Sequence, residues 1–309
     1  MLISVVIPCY RSAKTLPAVL DEIRTVFAQH PEHDYQIVLV NDGSPDNTYE
    51  VIRAQCTADP KITAVDLSRN FGQASARMAA LPYIRGECAV YMDDDGQHPA
   101  EGIFLLADKL QEGYDVVYAK FSHKRHSLFK RTTSRMHQKI GEWVGTSPKN
   151  IRVSPFFIIN RLMIEGLKRY HNPFPGIVSY LLRLSTRTGN VEMIHRARMA
   201  GKSGYSLKKL ILIWLNSVTT FSIIPLRLAS ILGIIFATSG FLAIAVIVIR
   251  KLLHPQILLG YTSLISVILL VSGIIMLMLG IMGEYLGRMY MTISDLPQYF
   301  VRETINVEE

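Results

Sequence analysis

Between Trp214 and Gly283 the chain carries no Asp or Glu. Leu226–Ile249 runs 24 residues with no charge after Arg227, and Ile257–Met282 runs 26 residues with none. About 20 apolar residues span the hydrocarbon of a bilayer, and helices of water-soluble folds keep a polar face. The two runs therefore read as transmembrane helices, 226–249 and 257–283. Their connector, Arg250 to Gln256, is short, so they form a hairpin that returns the chain to the side it started from. Lys202, Lys208, Lys209, Arg227, Arg288 and Arg302 lie on that side, against Arg250 and Lys251 in the connector. By the positive-inside rule that side is the cytoplasm. No basic leader precedes Leu2-Ile3-Ser4-Val5-Val6-Ile7, which agrees with a cytoplasmic domain. The expectation is a multi-pass protein of the cell inner (cytoplasmic) membrane, with a cytoplasmic tail at 284–309. Tyr205–Ile224 places Lys208, Lys209 and Trp214 on an apolar pattern, so 205–225 reads as an interfacial amphipathic helix ended by Pro225.

Most of the acidic residues lie in residues 1–204, where short apolar runs alternate with helical periodicity. Strands are expected at Ile3–Ile7, Gln36–Val40, Ile62–Leu67, Ala89–Met92 and Val116–Ala119. Helices are expected at Leu16–Phe27, Asn47–Gln55, Gln73–Ile84 and from Pro99 to about Leu110. Asp46 or Asn47 suits the N-cap of the second helix. Strands at this spacing give an α/β domain with a mainly parallel sheet, and such sheets bind ligands beyond the carboxyl ends of their strands.

Two acidic turns fall on that edge, Asn41-Asp42-Gly43-Ser44 and Asp93-Asp94-Asp95-Gly96-Gln97-His98-Pro99. Adjacent carboxylates repel unless a cation sits among them, and hard oxygen donors suit Mg²⁺ or Mn²⁺ where phosphates complete the coordination. The second turn thus reads as a metal site holding a phosphorylated substrate, the alternative being a solvated acidic turn. If the loop stays extended, alternate side chains share a direction, so Asp93, Asp95 and Gln97 converge and Asp94 points elsewhere. His98 reads as a structural neighbour, because hard cations prefer oxygen.

The formal charge is +8, from 33 basic and 25 acidic residues among 309. Nucleic acid would explain that excess but not the apolar hairpin, so a nucleotide-sugar, a lipid phosphate or an anionic membrane surface is the better partner. Cys9, Cys56 and Cys88 are far apart and form no CxxC pair, which argues against a disulfide framework or a zinc site. Lys124 to Lys139 is a basic stretch that reads equally as a solvated helix face or a phosphate-binding arm.

Taken in order, Ser4-Val5-Val6-Ile7-Pro8-Cys9-Tyr10, Val40 to Thr48, Ser68-Arg69-Asn70-Phe71-Gly72-Gln73 and Asp93 to Pro99 resemble the family 2 glycosyltransferases. With Arg196…Gly201-Lys202-Ser203-Gly204-Tyr205-Ser206 and the terminal hairpin, the resemblance is to the polyprenyl-phosphate (dolichyl-phosphate-mannose-synthase-like) branch. It implies a GT-A type nucleotide-binding domain followed by the interfacial helix and the two-helix transmembrane hairpin. The implied reaction is inverting, metal-dependent sugar transfer from a nucleotide-sugar, a UDP-sugar first, to a polyprenyl phosphate such as undecaprenyl phosphate, for cell-envelope glycan synthesis. By motif, Pro8, Tyr10, Asp42, Arg69 and Asn70 line the nucleotide pocket. Asp93 faces the ribose or sugar, Asp94 is counted with it among the nucleotide-sugar-binding residues, Asp95 and Gln97 hold Mg²⁺ or Mn²⁺, and Arg198 and Lys202 meet the donor diphosphate. Lys130, Arg131 and Ser134 hold the acceptor phosphate, with Asp93, Asp95, Arg131 and Ser134 as the catalytic set. The family also implies a homo-oligomer, a tetramer.

Two departures stand out. Many relatives have Asn-Glu where this chain has Arg11-Ser12, and an acidic residue where it reads Arg152 to Arg161 without one. Phe156 and Phe157 in that segment suit core packing. These departures keep a second reading open, a non-catalytic membrane module that binds nucleotide-sugar and recruits a flippase or partner transferase. A processive polysaccharide synthase ranks lower, because its Gln-x-x-Arg-Trp-type motif is missing.

Overall fold

The computed structural model describes residues 1–121, 151–194, 196, 224–253 and 261–307. They fall into two compact units, Met1–Ser206 with Asp295–Glu309, and Leu207–Ser294. In the first unit the strands are β1 (Leu2–Cys9), β2 (Asp34–Asn41), β3 (Ile62–Leu67), β4 (Cys88–Tyr91), β5 (Val116–Phe121), β6 (Phe157–Asn160), β7 (Thr188–Met193) and β8 (Val301–Ile305). The helices interleaved with them are α1 (Leu16–Ala28), α2 (Thr48–Ala58), α3 (Gln73–Ala79), α4 (Gly102–Gln111), α5 (Arg161–Lys168) and α6 (Ile177–Leu184).

The sheet order is β7-β5-β6-β4-β1-β2-β3-β8. Its centre, β4-β1-β2-β3, is parallel, while β6 runs antiparallel between β4 and β5, and β8 runs antiparallel on β3. Parallel strands covered on both faces must be apolar throughout. β1 and β2 are accordingly buried from Ile3 to Cys9 and from Gln36 to Asn41. The chain fills one side of β1 with β2 and β3, then crosses to the other side with β4. That reversal leaves a crevice at the carboxyl ends of β1 and β4, where open α/β sheets take their ligands.

One expectation for this unit changes. The helix expected at Gln73–Ile84 stops at Ala79 and continues as a 3₁₀ turn, Leu81–Tyr83. Pro82 lacks the N–H an α-helix needs and clashes with the turn before it, so the chain tightens there. Within the tail at 284–309, Val301–Ile305 joins the sheet of this unit.

The second unit contains α7 (Ile224–Leu253) and α8 (Tyr261–Ile293). Pro225 sits in the first turn of α7, where its missing N–H costs nothing. Among the described residues one stretch, Val271–Ile293, is long and apolar enough to cross a membrane, at mean hydropathy 1.3 over 23 residues. The qualifying apolar run in α7, Ala229–Leu242, is shorter. Ile234, Phe241, Leu242, Met276, Leu277 and Leu279 are exposed, as on a helix whose solvent is not water. A Cβ on Gly233 would stand 3.3 Å from Met278, so this glycine lets the two helices approach. Glu284 and Arg288 pair at 2.6 Å one turn apart. The interfacial helix expected at 205–225 lies outside the described residues up to Ile223.

Candidate active site

Asp42 follows β2 and is buried. Its carboxylate accepts from the backbone N–H of Phe71 at 2.7 Å and of Gly72 at 2.9 Å. Burial raises its pKa, and the two N–H donors oppose that rise. Gly43 beside it has φ +58°, and a Cβ there would stand 2.3 Å from the backbone carbon of Arg69. Only glycine lets the β2 turn approach the Ser68–Asn70 loop this closely. Arg69 and Asn70 themselves are exposed, with the Arg69 guanidinium 4.7 Å over the Phe71 ring. Asp42 therefore clamps the loop that presents Arg69 and Asn70.

The second acidic turn is not extended. The chain bends at Asp94 and Asp95, and Gly96 takes φ +72°. The three carboxylates take separate partners, and the extended loop on which the strand-alternation argument for Asp93, Asp95 and Gln97 rested is not the one observed. Asp93 accepts from Gln73 Nε2 at 2.7 Å and from Arg77 at 2.9 Å. Asp94 accepts from the Ser12 hydroxyl and from the Tyr10 N–H at 3.3 Å, which ties β4 to β1 across the crevice. Asp95 accepts from the Gln97 N–H at 3.0 Å, an Asx-type turn. Gln97 donates through Nε2 to the Arg196 carbonyl at 3.4 Å.

Asp94 is held toward β1 by its bonds from Ser12 and Tyr10. Burial pushes its carboxyl up to about 6; the Ser12 and Tyr10 bonds hold it down, and the neighbouring Asp93 charge adds to the rise. Ser12, at the departure from the Asn-Glu pattern, supplies one of those bonds.

Tyr10 is exposed, its ring open to solvent with the Arg11 guanidinium 5.6 Å from the centroid. Pro8 is buried in β1 opposite Val40. His98 stacks between Phe156 at 4.9 Å and Phe121 at 5.8 Å, and its Nδ1 accepts from the Asp93 N–H at 3.0 Å. It is the structural neighbour expected, and Phe156 and Phe157 are fully buried core residues. Cys9, Cys56 and Cys88 are buried free thiols; burial pushes Cys56 up to about 11 and Cys88 up to about 12. They stay protonated near neutral pH, so nucleophilic roles do not arise.

Sequence reasoning missed two residues. Arg77 is buried on α3, with its Nε–H unpartnered and its terminal nitrogen on Asp93. A lone arginine among the small residues of Gln73–Ala79 was the available signal. Glu22 on α1 accepts from the Ala100 N–H at 3.0 Å and from Arg196 at 2.6 Å, joining the end of the acidic turn to the Arg196 segment. Lys130, Arg131, Ser134, Arg198 and Lys202 lie outside the described residues.

Among the described residues no group of three or more His, Cys, Asp or Glu side chains is arranged to hold a metal ion. The donors that fit a hard cation are the Asp95 carboxylate and the Gln97 amide oxygen, both oxygens, as Mg²⁺ or Mn²⁺ prefers. Two such ligands suit a cation that a diphosphate helps to hold.

The mainly parallel sheet carries acidic turns at this crevice, and one long apolar stretch is present among the described residues. The chain belongs to glycosyl transferase family 2: residues 4–168 match that family, and residues 224–289 match the GtrB C-terminal hairpin. It is 33% identical over 315 residues to the undecaprenyl-phosphate 4-deoxy-4-formamido-L-arabinose transferase of Yersinia enterocolitica, covering 99% of this chain and 94% of that protein. It is 32% identical over 308 residues to a prophage-derived bactoprenol glucosyl transferase of Shigella flexneri, covering 98% of each. Glucosyl-3-phosphoglycerate synthase from Mycobacterium tuberculosis, solved with Mn²⁺ and UDP-glucose, shares the GT-A fold at TM-score 0.51 and 19% identity. That likeness covers 71% of this chain and 77% of the other. The protein is thus a family 2 glycosyltransferase of the polyprenyl-phosphate branch.

Proposed function

We propose that this enzyme transfers a sugar from a nucleotide-sugar to a polyprenyl phosphate at the cytoplasmic membrane face. The observation that carries the reading is the bridge across the β1–β4 crevice, Asp94 to Tyr10 and Ser12. It sets the exposed Tyr10 ring beside the carboxylate turn, so one pocket offers a base-stacking face and phosphate-side oxygen ligands. The named substrates of the Yersinia and Shigella relatives support a lipid-borne acceptor, and the match to the C-terminal hairpin family with one stretch long enough to span supports membrane association.

In this reading Tyr10, Arg69 and Asn70 meet the nucleotide, while Asp42 holds their loop in place. Arg77 and Gln73 fix Asp93 toward the sugar. Asp95 and Gln97 would hold Mg²⁺ or Mn²⁺, which when bound offsets the charge developing on the leaving diphosphate. Lys130, Arg131 and Ser134 receive the acceptor phosphate, and Arg198 and Lys202 the donor diphosphate. A phosphate monoester with a second pKa near ~6 is already largely ionised, so it needs orientation more than a general base. Attack by its oxygen on the anomeric carbon, opposite the departing diphosphate, inverts that centre.

The test is transfer to undecaprenyl phosphate by the purified full-length protein in detergent, across UDP-, GDP- and dTDP-sugars, with and without EDTA. A lipid-linked product lost in EDTA is expected. Nucleotide-sugar binding with no product from any donor would replace this reading with the recruiting module.

A further inference from the structure

We propose that the C-terminal strand is a working part of the donor pocket, with Arg302 the positioning residue that holds the Ser68–Asn70 loop. This rests on reading that loop as a nucleotide contact.

β8 pairs antiparallel with β3 through Ala64↔Ile305, Val65↔Thr304 and Asp66↔Glu303, and the register shifts between Asp66 and Leu67, where the loop begins. Just past that shift the tail takes both backbone groups of Ser68. The Ser68 N–H donates to the Phe300 carbonyl at 2.9 Å, and the Arg302 guanidinium donates to the Ser68 carbonyl at 2.6 Å. Another arm of the same guanidinium lies 3.5 Å from the buried Asp66 carboxylate. Asp66 accepts from Asn41 Nδ2 at 2.7 Å, the Ser44 N–H donates to Asn41 Oδ1 at 3.3 Å, and the Arg11 N–H donates to Ser44 Oγ at 3.2 Å. One line of polar contacts therefore runs from Arg302 through the loops that follow β3, β2 and β1, the three walls of the proposed nucleotide pocket.

Covering a sheet edge would explain the strand but not this side chain. The strand has its own anchors: Asn306 Nδ2 donates to the Cys56 and Ile62 carbonyls at 2.8 and 2.9 Å, Glu303 pairs with Arg53 at 3.2 Å, and Tyr299 and Val301 pack on the core. Arg302 adds nothing to the ladder and instead reaches the loop carbonyl. Because β8 follows α8 in the chain, the donor loop is complete only when the segment beyond the apolar helices has returned to the sheet.

Hydrogen exchange and nucleoside diphosphate binding test this on the full-length protein in detergent, with UDP, GDP and dTDP as probes. Arg302→Ala should speed exchange at the 68–70 amides about tenfold and weaken the nucleotide that the wild type binds by about five- to tenfold. Arg302→Lys should recover part of both. Glu303→Gln, on the same strand but facing Arg53, should change neither. Unchanged exchange or unchanged affinity in Arg302→Ala overturns the inference, as does an equal loss in Glu303→Gln. If the wild type binds none of the three nucleotides, the donor reading falls and this inference with it.

Discussion

The turn after β2 and the turn after β4 occupy equivalent positions on the same sheet edge, and both begin with aspartate. Asp42 spends its two oxygens on the backbone N–H groups of Phe71 and Gly72, whereas Asp93, Asp94 and Asp95 take three different sets of partners. The first carboxylate holds a loop in place, and in the proposed reading the second group faces what the site binds. Residue type and topological position were equal; what separates the turns is that Asp42 gives both oxygens to backbone N–H groups of one neighbouring loop, whereas the carboxylates after β4 divide theirs among side chains and single backbone donors.

The sharpest way to break this comparison is Asp95→Asn. The amide oxygen can still accept from the Gln97 N–H, so the turn survives while the charge is lost. Activity should fall at least ~100-fold, equivalent to about 2.7 kcal/mol or more, with Tm within about 2 °C of wild type. Intact activity would remove Asp95 from the metal role. Asp42→Asn should show the opposite pattern. One of its two buried N–H donors would face an NH₂ group, costing about 1–3 kcal/mol of stability, read as a lower denaturant midpoint, with donor KM rising as the loop loosens. If Asp42→Asn cut kcat while stability held, the division of roles between the turns would collapse.

How much of this was legible in the sequence follows from which signals are local. The strands of the parallel centre were readable because their apolar runs are bounded by Gly, Asn and Asp, and the carboxylate turn was readable as a cluster. The directions of its side chains were not, because alternation presumes an extended chain and the bend depends on Gly96 at positive φ. β8 was hidden for a different reason. Val301-Arg302-Glu303-Thr304-Ile305 is short and mostly exposed, and its partner β3 lies far back in the chain, so nothing local marks it as a sheet edge. Arg77 was hidden because its meaning lies in Asp93, which only the packing of α3 on β1 and β2 brings near.

Arg77→Met keeps the buried stem and removes the charge. It should cost about 1–2 kcal/mol, less than the 3–5 typical of breaking a fully buried pair, because Asp93 is 22% exposed and keeps Gln73. Transfer should slow about tenfold, while the affinity for the bare nucleoside diphosphate stays the same. A matching loss in nucleotide affinity would move Asp93 from the sugar to the nucleotide.

The smallest effect expected is that of Ser12→Ala, and it carries a pH signature. The Ser12 hydroxyl holds the Asp94 carboxyl below where burial alone would put it, yet the group still sits at about 6, above the ~3.9 of an unfolded aspartate. A carboxyl raised on folding binds its proton more tightly in the native state, so its contribution to stability falls as pH rises from about 4 through about 6. Removing the hydroxyl raises that pKa further. The deficit of the variant against wild type should therefore be small at pH 4.5, open between about 5 and 7, and level off near ~1 kcal/mol at pH 8, where the ionised carboxylate lacks one donor. Denaturant midpoints in EDTA at pH 4.5 and pH 8 measure it. An equal deficit at both would mean that Ser12 acts through its bond from the Tyr10 N–H alone, and that the carboxylate turn reaches β1 by Tyr10 without help from the hydroxyl.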